Sequence, residues 1–328
     1  MSQHLLAIVV PAFKPDFLEK ALRSIERQTN QSFQVYIFDD GSPHDLAHLI
    51  EPFLIKNEWV FHRFEENLGG RYLVAHWNRC VSLTTEPWVW LFSDDDVMSP
   101  DCVESFLQSK DQYPTTTVFR FEQNVVDAEE QILDANFPCP SELSAFEFGK
   151  RKFYRELNSS AVEFIFARTA FEKEDGFVRF PLGWCSDDAS WIAFSGQGRL
   201  VTLPKGKVFW RMSSVNISGT GGTLNRIKIS SSVQFVQWFN QRFREKIHPH
   251  FQAEQVIWLR LQMVHMDYMP SFGEVLRMLT RLQIPLSMNW FRAFGDLYCL
   301  TYVYWKKVVK NEKPLGLRYW LSLVLPAF

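Results

Sequence analysis

No two cysteines in this sequence stand at C-x-x-C spacing. The five present, Cys80, Cys102, Cys139, Cys185 and Cys299, are odd in number and widely separated. Neither a zinc ribbon nor a disulfide framework is suggested, and a reducing compartment suits this usage. Charge of either sign is not in excess: 35 Lys and Arg face 37 Asp and Glu, for a net charge of −2. Composition therefore offers no electrostatic case for nucleic acid, and no nucleic-acid partner is expected. No uninterrupted apolar run reaches the roughly 18 residues of a transmembrane helix. The opening MSQHLLAIVVPAF lacks a charged leader, and its apolar run is too short for a signal peptide. A cytoplasmic location is the resulting expectation. The Gly69-Gly70 pair lacks the G-x-G-x-x-G spacing of a dinucleotide site. The eight histidines show no ligand spacing, and no internal repeat or low-complexity tract is visible.

What is present is apolar bulk. Apolar residues make up 46% of the 328-residue chain, enough for one large domain or two modest ones. Aromatic residues reach 16%, with 30 Phe and 12 Trp. The organising stretch is WVWLFSDDDVMSP, from Trp88 to Pro100: a buried strand that ends in Asp94, Asp95 and Asp96. Ser99 and Pro100 then read as the N-cap and first residue of a helix. Three adjacent acids at a strand end repel one another, and a divalent cation would relieve that repulsion. Taken alone, the run reads first as a solvated acidic turn that also caps the next helix.

The rest of the chain gives the acids a setting. Leu5–Val10 reads as a buried parallel strand closed by Pro11, and Pro15 opens a helix with Leu18, Leu22 and Ile25 on one face. Phe33–Phe38 is a second strand running into Asp39-Asp40-Gly41-Ser42-Pro43. Ser42 and Pro43 are placed to start a helix that buries Leu46, Leu49, Ile50 and Phe53. Trp59–Phe64 is a third strand, a helix covers about Arg71–Leu83, and Thr115–Phe121 is a fifth strand. The pattern loosens into loop from about Val125 to Gly149, with Pro138 and Pro140. Ala161–Ala167 alternates as a strand, FPLGWCSDD from Phe180 to Asp188 reads as a loop, Ala189–Ser195 as a short helix and Val208–Met212 as a strand. Helices follow at Val233–Ile247 and Glu254–Met269, with His248-Pro249-His250 as a loop between them.

Strand and helix alternation predicts an α/β fold, a mostly parallel sheet with helices on both faces, followed by a helical C-terminal region. The boundary is placed near residue 220, giving domains 1–220 and 221–328. In open sheets of this kind ligands bind beyond the carboxyl ends of the strands. Both acidic clusters, Asp39-Asp40 and Asp94–Asp96, fall there.

The ordered set VVPAF, IFDDGS, ENLGG, WNRCV, LFSDDD, WCSDDASW and WRMSSVNIS resembles the nucleotide-sugar-binding half of family 2 glycosyltransferases, over about residues 5–219. Each motif is weak alone; their order and spacing together are specific. The resemblance implies a Rossmann-like GT-A fold and an inverting transfer from a nucleotide sugar, with a UDP-sugar the commonest donor. It places Pro11, Ala12 and Phe13 on the nucleotide pocket, Asp39 on the base and Asp40 beside the nucleoside. Gly70, Arg71 and Asn78 fall on the nucleotide and sugar side. Asp94, Asp95 and Asp96 occupy the DxD position, with Asp95 facing the donor and Asp96 and Asp94 as ligands for Mn²⁺ or Mg²⁺. Asp188 falls at the catalytic base, with Asp187 as its acidic neighbour. Arg211 and Ser213 fall on the segment that closes over the diphosphate. The chain departs from the pattern in having Arg79 where many members have Gly, Asp187 where many have Glu, and Arg211 where some have a metal-binding His.

The acceptor implied is a glycan or lipid-linked saccharide, as in synthesis of a surface polysaccharide. Asn289–Trp305 and Tyr319–Phe328 are aromatic, with Lys306, Lys307, Lys310, Lys313 and Arg318 between them. Two readings stand for them: helices packed on the core, or an amphipathic surface in peripheral contact with the inner face of a membrane. A non-catalytic scaffold of the same fold is the alternative function, and the presence of both Asp96 and Asp188 argues against it.

Overall fold

The computed structural model describes residues 4–135, 138–212 and 222–282. The chain forms two compact units, residues 1–220 and residues 221–328.

The first unit is an α/β sandwich. It opens with β1 (Leu6–Ala12), α1 (Leu18–Glu26), β2 (Phe33–Asp39), α2 (Leu46–Lys56), β3 (Val60–Arg63), α3 (Gly69–Ser82) and β4 (Trp88–Leu91). There follow β5 (Val97–Met98), α4 (Cys102–Gln112), β6 (Val118–Val126), β7 (Ile132–Ala135), β8 (Glu142–Ser144) and α5 (Ala145–Phe153). The unit closes with β9 (Phe164–Ala167), α6 (Arg168–Lys173), α7 (Ser186–Ser195) and β10 (Arg199–Arg211). Strand order is β3-β2-β1-β4-β9-β6-β10-β5, with β7 on β6 and β8 on β10. The first four strands are parallel, whereas β9 runs antiparallel to both β4 and β6, so the sheet is mixed.

Alternation along β1 explains the layers. Leu6, Ile8 and Val10 join Leu22 and Ile25 of α1, Ile50 and Phe53 of α2 and Phe106 of α4 in one core. Ala7 and Val9 point to the opposite face. There the rings of Phe166, Phe171, Phe177, Trp191 and Phe194 pack together, and Trp77 of α3 meets Phe177 at 5.6 Å. Burial on both faces is why β1 has no polar alternation.

Pro11 sets the most consequential feature of the sheet. Odd-numbered residues of β1 bond toward β4, as the Phe92 N–H to Val9 carbonyl bond of 2.8 Å shows. Pro11 has no N–H to offer on that side. Pairing with β4 stops at Val9, whereas pairing with β2 continues to Ala12. Ladder pairing between β1 and β4 ends there. This end lies at the topological switch point, where chain order reverses between β1 and β4.

Several expected boundaries move. α2 starts at Leu46 behind Asp45, because the Ser42 hydroxyl instead donates to the Phe13 carbonyl at 2.6 Å and accepts from His44 N–H. α4 starts at Cys102; Ser99 is tied to β10 through Lys207 and to the Asp101 side chain. The expected loop of residues 125–149 contains the end of β6, β7, β8 and the start of α5. β6 and β10 outrun their expected lengths because Lys207–Arg211 pair with Glu122–Val126. Asp187 and Asp188 lie within α7 rather than before it. Residues 161–163, expected in strand, form a 3-10 turn boxed by Ser160 and Glu163.

The second unit contains α8 (Thr223–Arg242), α9 (Pro249–His265) and α10 (Phe272–Arg281). Phe235 meets Trp258 at 6.0 Å, and Asn240 and Gln255 exchange amide hydrogen bonds of 2.7 and 3.1 Å. The expected loop at His248 is a helix cap: its Nδ1 accepts from Phe251 N–H, with Pro249 at the first helical position. The aromatic stretches at 289–305 and 319–328 lie outside the described residues. Among the described residues no helix is long and apolar enough to cross a membrane.

Trp90 tests the core of the first unit. It is fully buried, stacks on Phe121 at 4.8 Å and donates to the Val162 carbonyl at 2.6 Å. Trp90→Phe leaves that carbonyl unpaired beside a cavity, and about 2–4 kcal/mol of stability is expected to be lost in urea titration. A change within about 0.5 kcal/mol would contradict this packing.

Candidate active site

The DDD run does not simply face solvent. Asp94, Asp95 and Asp96 are all buried. Asp94 Oδ2 accepts from the backbone N–H groups of Phe13 at 2.8 Å and Lys14 at 3.0 Å. The carboxylate after β4 thereby grips the turn after β1, and both bonds fall on one oxygen, leaving Oδ1 for a ligand. Lys14 Nζ meets Asp95 at 2.9 Å. Asp96 Oδ1 accepts from the Arg211 N–H at 2.7 Å. Burial first, and Asp95 second, push Asp94 up to about 6 and Asp96 well above the ordinary carboxylate range. Burial works against the charge of Lys14, but Asp95, Asp94 and Asp96 outweigh it and hold its ammonium above the usual lysine value. Pro11 and Ala12 end β1 at this point, and Phe13 is 38% exposed beside them.

Asp39 and Asp40 have different tasks. Asp39 Oδ1 accepts from Ser42 N–H at 2.7 Å, and Oδ2 pairs with Arg63 Nη1 at 2.5 Å. Asp40 is a hub. Its carboxylate accepts from Leu68 N–H at 3.0 Å, Gly69 N–H at 2.6 Å and Asn67 Nδ2 at 2.9 Å, and Arg79 Nη2 donates to Oδ1 as well. It thus caps the N-terminus of α3 with a full charge. Arg79 also lies 3.7 Å over the Phe64 ring, and its Nε donates to His76 Nδ1 at 3.1 Å. Burial depresses His76 to about 4, so its approach to Asp40 is not an ion pair at neutral pH. The departure from the family pattern at Arg79 is thereby accounted for: the guanidinium neutralises Asp40. The glycine pair is steric in purpose. A Cβ on Gly69 would stand 2.6 Å from Asp40 Oδ2, and one on Gly70 would stand 3.0 Å from Asn67 Oδ1.

Arg71 is exposed, 5.7 Å from the Tyr72 ring, at a break in α3. Asn78 faces inward: its Oδ1 accepts from Phe177 N–H at 3.0 Å, whereas its buried Nδ2 has no partner among the described residues. Arg211 differs from the expected phosphate-facing cation. It is fully buried, with Nε on the Asp95 carbonyl at 2.8 Å, Nη1 on those of Asp127 and Ala128, and Nη2 on Glu130. Its planar fork staples the turn after β6 to the acidic run. Ser213 lies outside the described residues.

Asp187 and Asp188 stand in the first turn of α7, behind left-handed backbone at Leu182, Gly183 and Cys185. Asp188 is buried between Lys152 Nζ and Ser159 Oγ. Desolvation, then Asp188, push Asp187 up to about 7, against the pull of Lys152. Glu163, paired with Arg120, is pushed by burial to about 7. Because β9 runs antiparallel to β4, Glu163 at the start of β9 belongs to the same sheet edge as Asp94–Asp96. Lys152 and Ser159 were not legible as site residues. The S-x-x-E signature of Ser144 and Glu147 could have located α5, since the Ser144 side chain does accept from Glu147 N–H.

Among the described residues no three His, Cys, Asp or Glu side chains converge into a metal cage. A hard cation shared with phosphate oxygens asks for less, and carboxylate oxygens of Asp94 and Asp96 are a fitting donor set.

The sequence profile of Glycosyl transferase family 2 matches residues 7–173, just over half of the 328-residue chain. The chain belongs to glycosyl transferase family 2. Among curated relatives, Protein CgeD of Bacillus subtilis (strain 168) is 23% identical over 135 residues, 40% of this chain and 32% of that protein. Glycosyltransferase GlyG of Streptococcus pneumoniae serotype 4 is 24% identical over 105 residues, 32% of this chain and 34% of that protein. The chain thus spans about a third of the length of these relatives. In three dimensions it is similar to S. aureus TarS 1–349 in complex with UDP-GlcNAc, with a TM-score of 0.61 at 12% identity over 92% of each chain. The mannosyltransferase PcManGT from Pyrobaculum calidifontis, in complex with GDP-Man and Mn²⁺, aligns with a TM-score of 0.52 at 14% identity, over 96% of this chain and 89% of that one. At these identities the likeness establishes the GT-A fold of this glycosyltransferase.

The raised carboxyls make stability pH-dependent in an unusual direction. Between about pH 4 and 7 the folded enzyme keeps protons on Asp94, Asp96, Glu163 and Asp187 that the unfolded chain has released. Stability therefore falls as pH rises across that window; His76, depressed to about 4, opposes the trend as a single group. In metal-free buffer the thermal midpoint is expected to be higher at about pH 5.5 than at about pH 7.5, and Mn²⁺ is expected to raise it more at the higher pH. A midpoint that climbs with pH would count against this account of the buried acids.

Proposed function

We propose that this enzyme moves a sugar from a nucleoside-diphosphate sugar to a hydroxyl of a glycan acceptor, in one displacement that inverts the anomeric carbon. The observation that carries the reading is the position of Asp94–Asp96. They follow β4 at the place where its pairing with β1 ends, and they hold the turn after β1 by its backbone. The bound nucleotide sugars of TarS and PcManGT, UDP-GlcNAc and GDP-Man, support the donor class.

Pro11, Ala12 and Phe13, with Asp39 as acceptor for the base and Asp40 beside the nucleoside, form the nucleoside side of the site. Gly70 and Arg71 face the nucleotide and sugar, Asn78 serves that side from within by holding the Phe177 N–H, and Asp95 faces the donor with Lys14 against it. Asp96 and Asp94 would hold Mn²⁺ or Mg²⁺, which when bound supplies positive charge to the departing diphosphate. Asp188 accepts the proton of the acceptor hydroxyl as that oxygen attacks. Holding donor and acceptor in line supplies much of the remaining rate. Arg211 serves by fixing the acidic run rather than by touching phosphate. The acceptor class we favour is a growing surface polysaccharide or a lipid-linked saccharide. Residues 221–328 would then be an acceptor- or membrane-associated region at the inner face of the membrane.

Isothermal titration with UDP, GDP and dTDP, with and without Mn²⁺, tests the site. One nucleotide is expected to bind with metal and to lose about tenfold or more in affinity in Asp96→Asn. Absence of binding to all three by the folded protein would sink the reading.

A further inference from the structure

Lys152 is a largely buried cation at the C-terminal end of α5. Its neighbours on α5 face outward, Lys150 toward the Tyr154 ring and Arg151 toward Glu156. The Lys152 side chain alone turns in, and only 10% of it is exposed. Its Nζ meets Asp188 Oδ2 at 2.5 Å and Ser159 Oγ at 2.6 Å, and Ser159 Oγ in turn donates to Asp188 Oδ1. The three groups close a triangle, with one partner on each carboxylate oxygen. Burying an ammonium costs several kcal/mol, and an apolar side chain would fill the same space without that cost.

The surroundings show what the charge opposes. Asp188 shares its neighbourhood with Asp187 on its own helix and with Glu163 before β9. Arg120 of β6 is engaged with Glu163, at 3.2 Å. That leaves Lys152 as the cation in contact with Asp188 among the described residues. A carboxylate beside two other acids tends to keep its proton, and a protonated carboxyl cannot take another.

We propose that Lys152 is a positioning residue of the transfer, holding Asp188 ionised and, with Ser159, in a single rotamer for proton abstraction. The inference rests on Asp188 being the base. In the step itself the acceptor oxygen forms a bond to the anomeric carbon, and the bond from that carbon to the diphosphate oxygen breaks with its electron pair on the diphosphate. The acceptor proton passes to Asp188, which keeps free lone pairs on both oxygens, while Lys152 remains protonated throughout.

The experiment uses the full chain with Lys152→Met, Lys152→Gln, Lys152→Arg and Asp188→Asn, each checked for folding by thermal unfolding. Carbon-13 carboxyl signals are titrated, with that of Asp188 assigned by its loss in Asp188→Asn. Transfer from UDP-GlcNAc and GDP-mannose is followed in parallel. In Lys152→Met the Asp188 signal is expected to titrate about one pH unit or more higher, with kcat down about tenfold and donor KM within about twofold. Lys152→Arg restores both, and Lys152→Gln, which keeps donors without charge, behaves as Lys152→Met and replaces it should that variant not fold. An unmoved Asp188 titration in a folded, uncharged variant overturns the inference, whatever Asp188 does in catalysis. Asp188→Asn with undiminished transfer instead sinks the base assignment beneath it, while the carboxyl titration still reports the Lys152 contact.

Discussion

One carboxylate, Asp40, joins most of what the site needs. It stands immediately after β2, and it collects the first free N–H groups of α3 together with the Arg79 guanidinium. A helix start leaves several backbone donors without partners, and a buried anion placed there satisfies them while its own charge is compensated. Beyond its break at Tyr72, α3 makes two further contacts. Asn78 holds the Phe177 N–H, and Leu73 packs against Gly183, where a Cβ would come within 3.0 Å. Those two contacts set the segment that leads into Asp187 and Asp188. The turn after β2 and the acid pair of α7 are thus braced by the same helix, and the brace depends on the Asp40 carboxylate.

The distribution of charge at the sheet edge follows a consistent rule. Each acid is met by a cation from a different element: Asp39 by Arg63, Asp40 by Arg79, Asp95 by Lys14 and Asp188 by Lys152. Asp94 and Asp96 instead meet backbone N–H groups, and burial pushes their carboxyls upward, as it does those of Asp187 and Glu163. The two acids of the DDD run held by backbone N–H groups among the described residues are also those that the family resemblance assigns to a divalent ion. A protein that neutralised these two with its own lysines would have nothing left for such an ion to bind.

Much of this was legible in the sequence because it is local. Strands β1, β2 and β4 announced themselves as apolar runs, and their acidic ends followed by position. What could not be read is pairing across distance. β9 looked like any alternating strand, and only its place between β4 and β6 makes it antiparallel. The tail of β6 exists because Lys207–Arg211 lie beside it, and no periodicity within residues 122–126 reports that. Arg211 read as a surface or phosphate-facing cation because its aromatic and carbonyl surroundings, Phe17 at 4.4 Å among them, come from segments far away in the chain. Lys152 was hidden in a basic run whose other members face outward. Which of three adjacent basic residues turns inward is decided by the helix phase, and the helix itself had been taken for loop.

On the proposed assignment of Asp39 to the base, the Arg63 contact gives the nucleoside side of the site a resident competitor. Arg63 is about half exposed, yet it grips Asp39 Oδ2 and the Ser42 carbonyl at 2.7 Å. Any incoming group that seeks Asp39 as its acceptor must first displace, or share with, an internal ligand at effectively fixed concentration. Fragments that bring only a base pay that exchange alone, whereas a ligand gripped elsewhere as well can offset it. The pocket therefore carries a threshold: it favours molecules that engage several of its parts at once and discounts those that present one.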